Sequence, residues 1–304
     1  ATPQGELSVR ALRGDGAELW HVVLPEARTD DDGKAVAWNA GDFLKHDAEV
    51  FVQTADAFDY SVIFYSFFGS GWRPGEEAYT EGIRVLREMD GGRRLIMAHG
   101  DSTMGIPDGE SMAEFAADLF DNRDKILEEQ ERRLDAVLKR GEELMAAGVD
   151  GFILCCDYCF NSGPFLSPNM FGEFVTPFLK RLVAGYRRMG AYAIKHTDGD
   201  IMPILDQLVE CEPHGLHSID SMAGVDIAEV KRLYGDRICL MGNVNCATMQ
   251  TGTDEEILES CRYAMENGKM GGGYIFSTSN CIFRGVPTRA YDLMIDYWRK
   301  NREY

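Results

Sequence analysis

The feature that most constrains the fold is a repeated alternation of short apolar runs with helix-like segments, which begins near residue 40. Each run has the length and composition of a β-strand, and strands that alternate with helices form parallel sheets. A chain of 304 residues is long enough for a (β/α)8 TIM barrel of about 250 residues, and this α/β architecture is the predicted fold class. Seven strands are predicted, at residues 60–65, 94–98, 151–156, 191–196, 216–219, 237–241 and 273–277.

Residues 1–39 show a different pattern, in which short alternating runs are separated by turns. They predict a small antiparallel β appendage, and residues 40–304 are then the catalytic barrel. Only seven of the eight barrel strands are visible, and the chain does not begin with Met. One alternative is therefore a barrel that lacks its first strand because an upstream piece is missing. Such a barrel has an open seam, and we expect it to be unstable or to form a homodimer.

Start and stop signals support the predicted helices. Ser111 and Thr253 are each followed three residues later by Glu, which is the spacing of a capping box. Ser167 precedes a proline, and this pair predicts another helix start. Three glycines are predicted to end helices, at Gly148, Gly235 and Gly268.

The charge balance argues against polyanionic partners. Lys and Arg number 31 and Asp and Glu number 50, which gives a net charge of −19. A surface of that charge repels nucleic acid and anionic lipid headgroups. No apolar stretch reaches the roughly 18 residues of a membrane span, and eight cysteines without regular spacing are typical of reduced thiols. We therefore expect a soluble, cytoplasmic protein that binds neither nucleic acid nor membranes.

Polar residues with the chemistry of an active site come directly after several predicted strands. Because barrel enzymes build their active sites at the carboxyl ends of the strands, this placement predicts an enzyme. The chain has no Gly-x-Ser-x-Gly elbow, and its glycines 271–273 precede a strand instead of following one. Neither serine hydrolysis nor a phosphate loop is therefore predicted. The polar residues are His99, Asp101, Asp157, His196, Asp198, Asp220, Asn243 and Cys281.

His196 and Asp198 form a candidate site for a metal ion or for proton transfer. Alternate residues of an extended segment share a face, so both side chains should point to the mouth of the barrel. Together with Cys281 they offer three donors that zinc accepts, and a catalytic zinc needs only three protein ligands. The alternatives are a histidine that is hydrogen-bonded within its loop and a cysteine that only packs. Asp157, at another strand end, is a candidate for holding substrate or metal.

The order of four motifs resembles the uroporphyrinogen decarboxylase superfamily, and the resemblance covers roughly residues 145–298. That superfamily has (β/α)8 barrels and includes the decarboxylases of haem synthesis and the corrinoid-linked methyltransferases. The resemblance implies a barrel enzyme of one of these branches. The motifs are a segment that begins Asp157-Tyr-Cys-Phe-Asn and ends at Pro177, Lys195-His-Thr-Asp-Gly-Asp200, Gly242-Asn-Val-Asn245 and Gly272-Gly-Tyr-Ile-Phe-Ser277.

Departures from the pattern favour the methyltransferase branch. Decarboxylases of the superfamily are expected to carry an arginine-containing motif near the N-terminus and Gly-His-Gly after the last strand. This chain has Ser-Asn-Cys281 after its last strand and no recognisable arginine motif. Zinc-dependent methyltransferases use a His-x-Cys pair and a later Cys. His196 and Cys281 match two of these positions, but Asp198 replaces the middle Cys, and this harder ligand leaves the identity of the metal open.

The resemblance implies methyl transfer between a small O-, N- or S-methylated substrate and a separate corrinoid protein, with demethylation of the substrate. Zinc or another divalent metal, held by His196, Asp198 and Cys281, would activate the heteroatom or the accepting thiol. The expected catalytic residues are Asp157, His196 and Asp198. Substrate contacts are expected from Tyr158, Asn161, Asp220, Asn243 and His99.

Two other functions stay open. A decarboxylase of porphyrin biosynthesis needs cationic side chains to bind several carboxylates, and Lys195 and Arg284 are the candidates near the motifs. A barrel that only binds a ligand is the third possibility, because a fold does not dictate an activity. Only the methyltransferase predicts both a bound metal and dependence on a corrinoid protein.

Overall fold

A computed structural model describes residues 8–12, 18–23, 40–66, 76–283 and 285–303. The chain divides into two compact units. The first comprises Ala1–Ala98 and Glu143–Asp150, and the second comprises His99–Glu142 and Gly151–Tyr304. Within the described part of the chain, no helix is long and apolar enough to span a membrane.

The first unit contains an antiparallel strand pair and two helix–strand repeats. The strands β3 and β4 pair in parallel, with Ile63 opposite Ile96. The antiparallel pair, β1 with β2, lies within the predicted appendage. Residues 24–39 of the appendage lie outside the described residues, and the domain boundary at residue 40 stays a prediction. The elements are β1 (Ser8–Leu12), β2 (Glu18–Val23), α1 (Ala40–Phe58), β3 (Val62–Phe64), α2 (Glu76–Asp90) and β4 (Leu95–His99).

From His99 onward the chain alternates strands and helices. The helix α4 is the longest described helix of the chain. The elements are α3 (Met112–Asp121), α4 (Arg123–Ala147), β5 (Gly151–Cys155), β6 (Cys159–Phe160), β7 (Gly163–Pro164), α5 (Pro168–Phe174), α6 (Thr176–Arg188), β8 (Tyr192–His196), α7 (Leu205–Glu210), β9 (Gly215–His217), α8 (Ile227–Tyr234), β10 (Cys239–Val244), α9 (Cys246–Thr251), α10 (Asp254–Lys269), β11 (Tyr274–Thr278) and α11 (Thr288–Asn301).

Five parallel strands form the sheet of the second unit, in the order β11-β10-β9-β8-β5. Each strand therefore lies beside the next one in the chain, which is the succession found in (β/α) barrels. The register aligns one residue of each strand in a single row. The row consists of Cys155, His196, His217, Met241 and Ile275. Residues that follow this row lie at the carboxyl edge of the sheet.

Apolar side chains on both faces of these strands explain why they are interior. Leu154, Leu216 and Leu240 on one face have no exposed surface, and Ile153, Ile194 and Met241 on the other face are also buried, as expected for strands that are covered on both sides. Helix α6 covers the sheet with an apolar stripe of the kind that a helix buries. The stripe includes Phe178, Leu179, Leu182 and Val183, which are all buried.

All seven predicted strands are present, and their ends differ from the predicted ones by up to three residues. The chain therefore has an α/β fold with parallel strands. Among the described residues there are seven parallel strands, so closure into a barrel of eight strands stays a prediction.

The helix signals were partly correct. Thr253 forms the predicted capping box, and the Ser167 hydroxyl accepts a hydrogen bond from the Met170 N–H. The box at Ser111 is wrong, because its hydroxyl donates to the Asp108 carbonyl instead of capping α3. Gly148 and Gly235 follow helices as predicted. At Gly268 the predicted end differs by one residue, since α10 continues to Lys269.

Candidate metal centre

The loop after β8 carries two of the predicted site residues. His196 is the last residue of β8, and its side chain is 12% exposed. Thr197 is fully buried, and its hydroxyl accepts a hydrogen bond of 3.0 Å from the Tyr158 N–H, which fixes the start of the loop. Gly199 then turns the chain with a φ of +84°, and a Cβ there would lie 2.5 Å from the Cys159 carbonyl oxygen. The turn therefore requires glycine, and it sets the direction of Asp198.

Three ligand atoms converge at the end of β8. The His196 Nε2 atom lies 3.8 Å from Asp157 Oδ1 and 3.7 Å from Asp198 Oδ1. Asp157 Oδ1 also accepts a hydrogen bond of 3.0 Å from the Asp198 N–H, which ties the β5 loop to the β8 loop. Within the described residues, Asp157, His196 and Asp198 are the group of three whose donor atoms all lie within 4.8 Å of one another.

The electrostatics of this group favour a cation. Burial, together with the nearby Asp157 and Asp220 carboxylates, raises the pKa of Asp198 to about 6, although the Ser218 hydroxyl opposes the effect. Burial lowers the pKa of His196 to about 4, although the Asp157 carboxylate opposes the effect. Above pH 6 the group therefore consists of a neutral imidazole between carboxylates, and it carries negative charge without a cation of its own.

One oxygen of Asp198 is left without a hydrogen bond. Asn280 donates its Nδ2–H to Asp198 Oδ2, whereas Asp198 Oδ1 is buried and has no hydrogen-bond partner among the described residues. A buried carboxylate oxygen is costly unless a donor or a cation compensates it. An imidazole nitrogen and two carboxylate oxygens form a donor set that divalent transition metals accept, and a catalytic zinc needs three protein ligands. The residues therefore fit a divalent metal.

Cys281 is not part of this group. It is exposed, and its N–H donates to the Asn280 Oδ1 atom at 2.6 Å. Asp157 is the third member of the convergent group in its place. A metal ligand role for Cys281 stays a prediction.

The predicted substrate residues differ in their surroundings. Asp220 is buried and accepts hydrogen bonds from the Gly199 and Met222 N–H groups, so it holds two loops together. Asn243 is buried and donates to the Ile219 carbonyl at 2.9 Å. Their substrate contacts, and those of the exposed His99 and Asn161, stay predictions.

Tyr158 belongs to a buried polar network instead of an open surface. Its ring lies 4.1 Å from Lys195 Nζ, and its hydroxyl hydrogen-bonds to Thr103. Lys195 is fully buried and donates to Asp101 at 2.8 Å and to the carbonyls of Leu154 and Cys156 at 3.0 and 2.9 Å. All three ammonium hydrogens are thus used within the protein. The other cation predicted to bind carboxylates, Arg284, lies outside the described residues.

Two further residues of the site were missed in the sequence. His217 contributes its Nδ1 atom 2.8 Å from His196 Nδ1, and its Nε2 atom lies 3.1 Å from the Thr278 carbonyl oxygen. Asn280 supports Asp198. His217 ends the observed strand β9, whereas the predicted strand continued to residue 219, and its position opposite His196 depends on the strand register.

Comparison with known proteins agrees with the motif order. The family model described as uroporphyrinogen decarboxylase (URO-D) matches residues 107–301. The chain is 25% identical to the uroporphyrinogen decarboxylase of Thioalkalivibrio sulfidiphilus (strain HL-EbGR7) over 230 residues, which cover 71% of this chain and 62% of that protein. It is 24% identical to the methylcobamide:CoM methyltransferase MtaA of Methanosarcina barkeri over 193 residues, which cover 63% of this chain and 55% of that protein.

A third relative is the uroporphyrinogen decarboxylase of Pseudoalteromonas translucida (strain TAC 125), which is 27% identical over 127 residues. This match covers 40% of this chain and 34% of that protein. The chain thus spans less than two thirds of the length of each of these relatives.

Proposed function

Because the chain belongs to the uroporphyrinogen decarboxylase family, we propose that it is a metal-dependent methyltransferase that works with a separate corrinoid protein. It would move a methyl group between a small O-, N- or S-methylated substrate and the corrinoid. The observation that carries the proposal is the convergence of Asp157, His196 and Asp198, with one buried carboxylate oxygen that makes no hydrogen bond to the residues that the structure describes. The name of the Methanosarcina barkeri relative describes methyl transfer from a methylcobamide.

The three residues would hold zinc or another divalent metal. A bound metal supplies a Lewis acid that stabilises charge on the heteroatom or thiol involved in methyl transfer. Asn280 keeps Asp198 Oδ2 occupied, and this leaves Oδ1 directed at the shared space. The Asp157 side chain is 51% exposed, so the group is open to solvent on that side and a substrate can reach it.

Decarboxylation is the second candidate, since several relatives are named uroporphyrinogen decarboxylase. Such a substrate carries several carboxylates, which need cationic partners. Around the strand ends that the structure describes, Lys195 is buried and fully paired, whereas Asp157, Asp198 and Asp220 gather negative charge. This negative charge repels a substrate that carries several carboxylates. It favours a substrate that binds beside a metal cation, or through one.

An activity assay separates the two candidates. Purified protein with added Zn²⁺ would be mixed with methylcobalamin and a thiol acceptor such as coenzyme M, and demethylation followed by visible absorbance. We expect turnover that falls by about 100-fold or more in His196→Ala, because the ligand set loses a member. The control Asp226→Asn, which changes a helix cap at the start of α8, should retain turnover. Decarboxylation of uroporphyrinogen by the same protein, or turnover unaffected by His196→Ala, would reject the proposal.

A further inference from the structure

His217 lies beside the proposed ligand His196 and faces away from solvent. The two residues are opposite each other in the parallel pairing of β8 and β9, and His217 is 8% exposed. The Nδ1 atoms of the two rings are 2.8 Å apart, and His217 Nε2 lies 3.1 Å from the carbonyl oxygen of Thr278 at the end of β11. The three groups therefore form a chain of two hydrogen bonds across the sheet.

The Thr278 carbonyl group determines the direction of both hydrogen bonds. The Thr278 carbonyl can only accept, so His217 Nε2 carries the hydrogen in that bond. In a neutral imidazole the other nitrogen is then an acceptor, so the hydrogen between the rings belongs to His196 Nδ1. His196 Nε2 is left with a lone pair, and this is the atom that faces Asp157 and Asp198.

We infer that His217 is a positioning residue that fixes the tautomer of His196, so that Nε2 of His196 presents a lone pair to a metal ion. The metal part of this inference rests on the proposed function, whereas the tautomer does not. Ligating histidines commonly donate their second ring hydrogen to a carboxylate or a carbonyl group. Here the acceptor is a second, neutral imidazole that is oriented in turn by the backbone.

The opposite arrangement is unfavourable in two ways. If His196 carried its hydrogen on Nε2, two nitrogen lone pairs would face each other at 2.8 Å. If His217 were doubly protonated, a cation would be buried between the His196 ring and the Thr278 carbonyl group. Both alternatives cost free energy that the arrangement with the His196 Nδ1–H avoids.

Two substitutions at position 217 separate the roles of the two ring nitrogens. His217→Asn places an amide oxygen near the Nδ1 position, where it can accept the hydrogen from His196. His217→Gln places an amide nitrogen near the Nε2 position, where it can donate to Thr278, but has no acceptor near the Nδ1 position. His214→Asn is the matched control, since His214 Nδ1 accepts a hydrogen bond from the Ala193 N–H outside this chain of bonds.

The first readout is the tautomer in protein stripped of metal. Protein labelled with ¹⁵N in its histidines would be studied by long-range ¹H–¹⁵N NMR, with the His196 signals identified by their loss in His196→Ala. We expect the Nδ1–H form of His196 in the wild type, in His217→Asn and in His214→Asn, and a mixture or the Nε2–H form in His217→Gln. An Nε2–H form in the wild type, or no change in His217→Gln, would overturn the inference.

The second readout is Zn²⁺ affinity, measured by competition with a chromophoric chelator. We expect the dissociation constant to rise by about 10- to 100-fold in His217→Gln, as is usual when the support of a ligand is lost. His217→Asn should recover most of the affinity, and His214→Asn should match the wild type. Equal affinities in all four proteins would contradict the role of His217 at the metal. A wild type with the expected tautomer but no Zn²⁺ binding would reject the proposed function and leave the tautomer assignment standing.

Discussion

At the scale of single residues, two aspartates of the second unit show how surroundings decide what a carboxylate can do. Burial alone would raise the pKa of Asp101, but the Lys195 ammonium and the Thr103 donors outweigh it and hold that pKa below its ordinary value. Asp198 has fewer donors, and burial together with neighbouring carboxylates raises its pKa. The charge of Asp101 is therefore compensated by its neighbours. The charge of Asp198 is compensated less well, and a cation would stabilise it.

Replacing Asp198 by Asn should stabilise the protein in the absence of metal. The raised pKa means that the ionised carboxylate destabilises the native state, while the amide keeps an oxygen for Asn280. We expect the free energy of unfolding of Asp198→Asn at pH 8, measured by urea denaturation with chelator present, to exceed that of the wild type by about 1–3 kcal/mol.

The sign of the pH dependence follows from proton binding. The pKa of Asp198 is about 6 in the native protein against an ordinary 3.8, so between these values the native state holds more protons than the unfolded chain. Stability derived from this group falls as the pH rises through that window. The advantage of Asp198→Asn should therefore shrink below pH 6 and vanish near pH 4. A variant that is less stable than the wild type at pH 8 would show that Asp198 is compensated in another way.

At the scale of secondary structure elements, the register between the parallel strands brings the site residues together. The five strands of the second unit align Cys155, His196 and His217 in one row, so the residues after that row meet at the carboxyl edge. Loops from β5, β8 and β11 then supply Asp157, Asp198 and Asn280. No single loop contains the site, which is typical of enzymes built at the ends of barrel strands.

The helix caps give a matched pair of predictions. Thr253 accepts from the Glu256 N–H while the Glu256 carboxylate accepts from the Thr253 N–H, so Thr253→Ala should lower the free energy of unfolding by about 1 kcal/mol. Ser111 makes no such cap at α3, so Ser111→Ala should change stability by less than about 0.5 kcal/mol. Denaturant titration of both variants measures the two losses in the free energy of unfolding. Equal losses would show that Ser111 contributes as much to stability as Thr253 does.

The same elements show what the sequence could predict. Strands were recognisable because each is a continuous apolar run, and the polar residues at their ends identified Asp157, His196 and Asp198. The contact of His196 with His217 was not predictable, because it depends on how two strands separated by a helix are aligned. The box at Ser111 failed for a similar reason, since a local pattern does not decide between competing hydrogen bonds of one hydroxyl.

At the scale of the whole molecule, all residues of the candidate metal centre belong to the second unit. The family match, residues 107–301, covers most of the same region, and the chain spans less than two thirds of the length of its named relatives. With a net charge of −19, the chain as a whole repels polyanions. A metal cation bound by Asp157, His196 and Asp198 would place positive charge beside two carboxylates.

The most direct test is zinc analysis combined with X-ray absorption at the zinc edge. Protein purified without chelators and its Asp198→Asn variant would be compared, with Asp226→Asn as the control. We predict about one zinc per chain in the wild type and the control, with nitrogen and oxygen neighbours at about 2.0–2.2 Å, and loss of zinc in Asp198→Asn. Absence of zinc, full retention in Asp198→Asn, or a sulfur neighbour at about 2.3 Å would contradict a metal held by Asp157, His196 and Asp198.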